Sequence, residues 1–154
     1  TRNVDKSIKS ISCMKNLSLV KVFGEGTGYK LGVLADVAST MREAEINIYS
    51  VVTSLTCIAL LVDKKDVAKA QKVLADSGAT RVETHTNFAL MCIVGEGLGH
   101  HKGLASRVFK AVAKEGVNVG LISAGASLVA YHFTVDEGDL EKATKAVHEE
   151  LFGC

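Results

Sequence analysis

The feature that most constrains this chain is an internal repeat. Asn16 to Gly26 (NLSLVKVFGEG) returns as Asn87 to Gly97 (NFALMCIVGEG), an offset of 87 − 16 = 71. The same offset carries Gly28 to Gly99, Gly32 to Gly103, and Ile46-Asn47-Ile48 to Val117-Asn118-Val119. Beyond that point it grows by two, so that Asp66 corresponds to Asp139. A period of this size fixes architecture before any local reading does. Two copies with their glycines in register point to a duplicated ligand-binding module rather than to one catalytic pocket. With 154 residues to divide, each unit is small, and units of about 70 residues bury little core alone.

Each copy reads strand, helix, strand, strand, helix. In the first, Leu17–Phe23 is rich in β-formers, and a glycine turn (Gly24, Gly26, Gly28, Gly32) leads to Leu34, Val37, Ala38 and Met41 at helical spacing. Strands are expected over 46–52 and 57–62, joined by a hairpin. Asp66 opens a helix with the stripe Val67, Ala70 and Leu74, which Gly78 ends, and 80–86 reads as a fourth strand. The second copy repeats this with strands over 88–94, 117–123 and 128–135. Its helical stripes are Ala105, Val108, Phe109, Val112 and then Leu140, Ala143, Val147, Leu151. It stops without a fourth strand. Residues 7–13 form a spare strand that precedes Asn16 as 80–86 precedes Asn87, and an unpaired sheet edge is a liability. The expected fold is therefore α+β: two ferredoxin-like βαββαβ units, each an antiparallel sheet with its helices on one face. Residues 14–86 form the first unit. Residues 87–152, completed by the N-terminal strand 7–13, form the second.

Composition narrows the function. The net charge is +1 and the lysines are dispersed, which argues against a nucleic-acid partner. No apolar run is long enough for a membrane span, and no apolar signal region opens the chain. The first residue is Thr1, so the chain reads as processed or as a piece of a longer protein, the second being the expectation. Cys13, Cys57, Cys92 and Cys154 show no paired spacing; Cys57 and Cys92 read as small core residues, and a reducing cytoplasm is expected. His100-His101 lacks Cys or carboxylate partners at ligand spacing, so no metal site is expected. Gly24-Glu25-Gly26-Thr27-Gly28 has the wrong spacing for a dinucleotide loop, and neither Ser123 nor Cys92 has a recognisable general base. No catalytic residue is assigned.

The strand order, the glycine turn and the Ile/Val-Asn-Ile/Val opening of the second strand resemble ACT domains, small modules that bind amino acids. The tandem with its N-terminal strand is similar to the C-terminal regulatory region of aspartate kinases. Residues 95–103 (GEGLGHHKG), 117–123 (VNVGLIS) and 146–152 (AVHEELF) carry the likeness, which spans roughly Ser7 to Phe152. Two departures stand out. Relatives commonly place Ser-Ser-Glu or Thr-Ser-Glu after the second strand, where this chain has Thr53-Ser54-Leu55 and Ala124-Gly125-Ala126-Ser127. Many also carry an acidic residue two positions after the strand asparagine of the first unit, where Tyr49 stands here.

An amino acid offers a carboxylate, an ammonium group and a side chain. Backbone N–H groups at a helix start suit the carboxylate, and glycine admits close approach. Lys30, Leu31, Gly32, Val33 and Leu34 form one such start; His101, Lys102, Gly103, Leu104 and Ala105 form the other. Asn47 and Asn118, beside Ile48 and Val119, offer oxygens for the ammonium group, with Asp36, Thr53, Ser54 and Ser123 as further candidates. Gly32 and Gly103 have a purely conformational reading as well, and the asparagines a packing one. The resemblance implies feedback control by lysine or threonine, pairing of sheets in a homodimer, and an aspartate kinase catalytic domain or subunit as partner. No cofactor is expected in this chain; ATP and Mg would belong to that catalytic part. The alternatives are a free-standing ACT sensor serving another enzyme or regulator, and a purely structural dimerisation module.

Overall fold

A computed structural model describes residues 8–24, 32–95, 103–123 and 130–153. The elements run β1 (Ile8–Phe23), α1 (Val33–Glu43), β2 (Ile48–Thr53), β3 (Cys57–Asp63), α2 (Val67–Asp76), β4 (Arg81–Gly95), α3 (Leu104–Lys114), β5 (Val119–Ser123), β6 (Ala130–Asp136) and α4 (Leu140–Phe152). Short 3-10 turns at Lys64–Asp66 and Glu137–Asp139 lead into α2 and α4. The chain divides into two compact units. The first is Asn16–Asn87; the second joins the residues before Asn16 to those from Phe88 onward.

The fold is the mixed, antiparallel one that the repeat implies. In the first unit β3 lies between β1 and β2, antiparallel to both, with Leu17 opposite Asp63, Phe23 opposite Cys57 and Ile48 opposite Val62. In the second, β6 lies between β4 and β5, antiparallel to both. The strand order is β2-β3-β1-β4 in the first unit and β1-β4-β6-β5 in the second, so β1 and β4 serve both. The four strands expected over 7–13, 17–23, 80–86 and 88–94 are thus two long ones. Asn16 (φ 59) and Asn87 (φ 66) mark where each passes from one unit to the other. Asparagine tolerates this left-handed backbone better than most side chains.

Each unit has its own core on the helical side of its sheet. In the first, Val20, Val22, Ile58, Leu60 and Val62 meet Val37, Met41, Ala70 and Leu74. In the second, Ala89, Met91, Ile93, Tyr131, Phe133 and Val135 meet Val108, Val112, Ala143, Val147 and Leu151. Phe109 stands edge-on to Phe133 with centroids 5.4 Å apart. Two details depart from the periodicity. Leu34, expected in the α1 stripe, is 46% exposed, and Ala38 is exposed beside it, because Val33, Val37 and Met41 supply the core face. Cys57 and Cys92, expected in the core, are only half-buried.

β2 and β5 each carry one extra residue against their partner. Ile48 pairs with Val62 and Ser50 with Leu61; Val119 pairs with Val135 and Ile122 with Phe133. The same bulge therefore occurs at the same place in both repeats. In the second it is built from Gly120 and Thr134. The Leu121 N–H donates to Thr134 Oγ1 at 2.8 Å, and a Cβ on residue 120 would stand 2.5 Å from that oxygen.

Candidate functional site

The two helix starts are alike. Gly32 (φ 86) and Gly103 (φ 79) are the N-caps of α1 and α3, and no side chain caps either helix. The first helical bonds are Asp36 N–H to Gly32 O at 2.9 Å and Arg107 N–H to Gly103 O at 3.0 Å. Among the described residues nothing accepts from the N–H groups of the first turn, and the helix dipole favours an anion there. A Cβ on either glycine would meet nothing within 4 Å. Their requirement is therefore conformational: an L side chain is disfavoured in left-handed backbone even where space is free. Lys30, Leu31, His101 and Lys102, assigned to these starts from sequence, lie outside the described residues.

Strand direction sorts the other candidates. β1 and β2 run the same way, both being antiparallel to β3. The end of β1, the start of α1 and the end of β2 therefore share one end of the first unit. Gly32, Val33, Leu34, Thr53 and Ser54 are there. Asn47 and Ile48 follow α1 and lie at the opposite end, where Ile48 pairs with Val62 and Leu17 with Asp63. Eleven residues of helix span about 16 Å. One amino acid cannot touch both ends of the same unit. The second unit is built alike: Gly103, Leu104 and Ala105 lie at one end, with Asn118 and Val119 at the other. Ser123 ends β5 on the Gly103 side, and its side chain lies outside the described residues.

The local environments differ in availability. Val33 and Val119 pack against their cores, Leu104 is 1% exposed, and Ala105 packs beside it, so these four offer backbone rather than side chain. Asn47, Asn118, Asp36 and Thr53 are exposed. The Ser54 hydroxyl is engaged: it accepts from the N–H of Cys57 (3.2 Å) and of Thr56 (3.3 Å) and donates to Cys57 O (3.3 Å). It shapes the β2–β3 hairpin. Asp36 corresponds to Arg107, which reaches across to α4 and bonds the Glu150 carboxylate at 3.0 Å and its backbone oxygen at 3.1 Å. In the second unit that helix position therefore faces α4.

Sequence reasoning missed the Thr134–Gly120 bulge and the seating of Arg81 over Phe23. Neither has a short-range motif, because each pairs residues distant in sequence. Among the described residues no group of His, Cys, Asp and Glu could hold a metal ion. No helix among them is long and apolar enough to cross a membrane.

Comparison with known proteins gives this geometry its relatives. The family model for the ACT domain matches residues 20–77 and again 91–151. An aspartate kinase of Stutzerimonas stutzeri is 32% identical over 126 residues, covering 79% of this chain and 30% of the relative. The regulatory subunit of aspartate kinase from Thermus flavus superposes with a TM-score of 0.81 at 22% identity, covering 94% of this chain and 99% of that one. E. coli aspartokinase III, solved with lysine and aspartate, superposes at 0.79 with 24% identity, covering 99% of this chain and 34% of that one. The chain spans less than a third of the length of the curated relatives it matches. Its two repeats, their sheet order and these matches agree: the chain belongs to the ACT-domain family, as a tandem of two ACT units similar to the regulatory region of aspartate kinases.

Proposed function

We propose that this chain is the amino-acid-binding regulatory region of an aspartate kinase, and that its effector is lysine or threonine. The carrying observation is the pair of uncapped, glycine-opened helix starts at equivalent places in two ACT units. The lysine complex of E. coli aspartokinase III supports the choice of effector class. The separation of Gly32 from Asn47 supports a composite site. β2 is the outer strand of the first unit and exposes Val51 (42%); β5 is the outer strand of the second and exposes Ile122 (47%). Antiparallel pairing of β2 with β2 of a second copy brings the Gly32 end of one copy to the Asn47 end of the other. One effector then meets N–H groups from one chain and an asparagine oxygen from its partner. Binding that requires the paired arrangement shifts the population toward it, and the coupling is reciprocal. The catalytic part of the kinase is the partner that would read out that shift.

The test is calorimetric titration of the chain with lysine, threonine and methionine, with sedimentation alongside. Saturable binding of lysine or threonine at one per chain or fewer, with effector-dependent dimerisation, is the expected outcome. Absence of binding to all three, in a chain that still dimerises, would replace this reading with a structural dimerisation module. The engagement of Ser54 within its own hairpin favours that second reading.

A further inference from the structure

The first unit holds a second feature that the amino-acid site does not use. At the end of the sheet where β1 stops and β3 and β4 begin, Phe23, Gly24, Thr56, Thr80 and Arg81 line a shallow, solvent-open cleft of about 590 Å³. It opens on the face away from the helices. Val22 and Val82 pack into the helix-side core, so Phe23 and Arg81, their neighbours in sequence, point the other way.

Arg81 is held in place at this cleft. Its guanidinium carbon lies 4.1 Å above the centre of the Phe23 ring, and its Nε is 3.2 Å from Glu83 Oε1. Stacking and one surface ion pair favour one plane of the fork, although the Arg81 side chain is 61% exposed. The Nε edge is spent on Glu83; the two terminal nitrogens are the remaining donors. Two hydroxyls share the lining. The Thr56 N–H donates to Ser54 Oγ at 3.3 Å and the Thr80 N–H to Phe23 O at 2.8 Å, which fixes both backbones. The bonds described for these two residues are made by their backbone N–H groups, not by their hydroxyls. At the corresponding place in the second unit, Val94 stands where the first has Phe23.

We propose that this cleft is a small-oxyanion site, taking a carboxylate or phosphate group on the Arg81 fork with Thr56 and Thr80 as flanking donors. A preoriented guanidinium loses little freedom on forming two parallel bonds to such a group. Its lining shares no residue with the helix starts, so it stands whether or not the chain senses an amino acid.

The test is a nitrogen-15 NMR titration of the whole chain with sodium phosphate and, separately, with sodium acetate, at constant ionic strength. Saturable shifts clustered on the Gly24, Thr56, Thr80 and Arg81 amides and the Arg81 Nε are expected with at least one probe; the tighter of the two names the oxyanion class. Arg81→Met keeps the stem over Phe23 and removes the fork; it should weaken binding about tenfold or more. Glu83→Gln removes the negative charge beside the fork, which competes with an incoming anion, and should tighten binding. No saturable shift with either probe, or undiminished shifts in a folded Arg81→Met variant, would overturn the assignment. If Arg81→Met does not fold, Glu83→Gln decides: unchanged or weakened affinity also overturns it.

Discussion

The two units share a scaffold and differ in what they hang on it. Both have a helix opened by a left-handed glycine, a bulged outer strand in the same register, and a core between helices and sheet. At corresponding places the first has Tyr49 and Leu61 where the second has Gly120 and Thr134; Asp36 where the second has Arg107 bonded to Glu150; Ser18 where the second has Ala89; Lys21 where the second has Cys92. The left-handed residues Asn16 and Asn87, and Gly32 and Gly103, recur in both units, while these other positions differ. That is what a duplicated scaffold with two separately adjusted halves looks like. The contrast also makes each unit the control for the other.

The bulge gives the largest contrast. Thr134 is 2% exposed, and its hydroxyl takes the otherwise unpaired Leu121 N–H. Thr134→Val keeps the shape and removes the acceptor, and should cost about 1–3 kcal/mol in urea unfolding. Gly120→Val drives a Cβ into the same oxygen and should cost a similar amount through overpacking. Leu61→Val in the first unit, whose bulge has no such hydroxyl, should cost only the burial of one methylene, about 1 kcal/mol. Equal losses in Thr134→Val and Leu61→Val would mean that the bulge needs no side-chain acceptor.

The glycine caps come next. Gly32→Val places a β-branched residue at φ 86 and should lose about 1–2 kcal/mol of stability, with effector affinity falling more steeply than the fold. Gly103→Val should cost the fold the same amount. Whichever of the two abolishes effector binding identifies the occupied unit. Unchanged affinity in both, measured on folded protein, removes the helix starts from the site.

Ser18 reverses the sign. Its hydroxyl is fully buried with no hydrogen-bond partner among the described residues, on the helix-facing side with Val20 and Val62. A buried unpaired hydroxyl destabilises, and the second unit places Ala89 at this point. Ser18→Ala should stabilise the protein by about 1 kcal/mol, read as a higher urea midpoint at constant slope. A loss of stability would show that Ser18 has a partner in solution.

How much of this the sequence carries depends on range. Strand order followed from the repeat, because each copy repeats its strand and helix periods in register. The continuity of β1 and β4 did not, because nothing local distinguishes Asn16 in a loop from Asn16 in left-handed strand backbone. The helix starts were legible as glycine turns. That Gly32 and Asn47 lie at opposite ends of one unit was hidden, since 15 residues of sequence give no direction until the strands pair. Arg81 over Phe23 was invisible for the same reason: 58 residues separate them and only the β1–β4 pairing joins them.

The smallest expected effect comes from the Lys21–Cys92 contrast. Burial raises the Cys92 thiol above its usual pKa of 9.0, with a lesser upward push from Cys13 and an opposing hydrogen bond from Ser12. The folded state thus holds the Cys92 proton more tightly than the unfolded chain. Its contribution is fully present below pH 9.0 and is lost as pH rises through the higher folded value. Stability measured from pH 8 to 11 should therefore fall more in the native chain than in Cys92→Ala. The comparison is of slopes, because the substitution also changes packing at every pH. The same thiol should react with iodoacetamide more slowly than Cys13, which is exposed. Equal rates at the two cysteines, together with parallel stability curves, would show that the second unit shields this position no better than the first would shield a lysine.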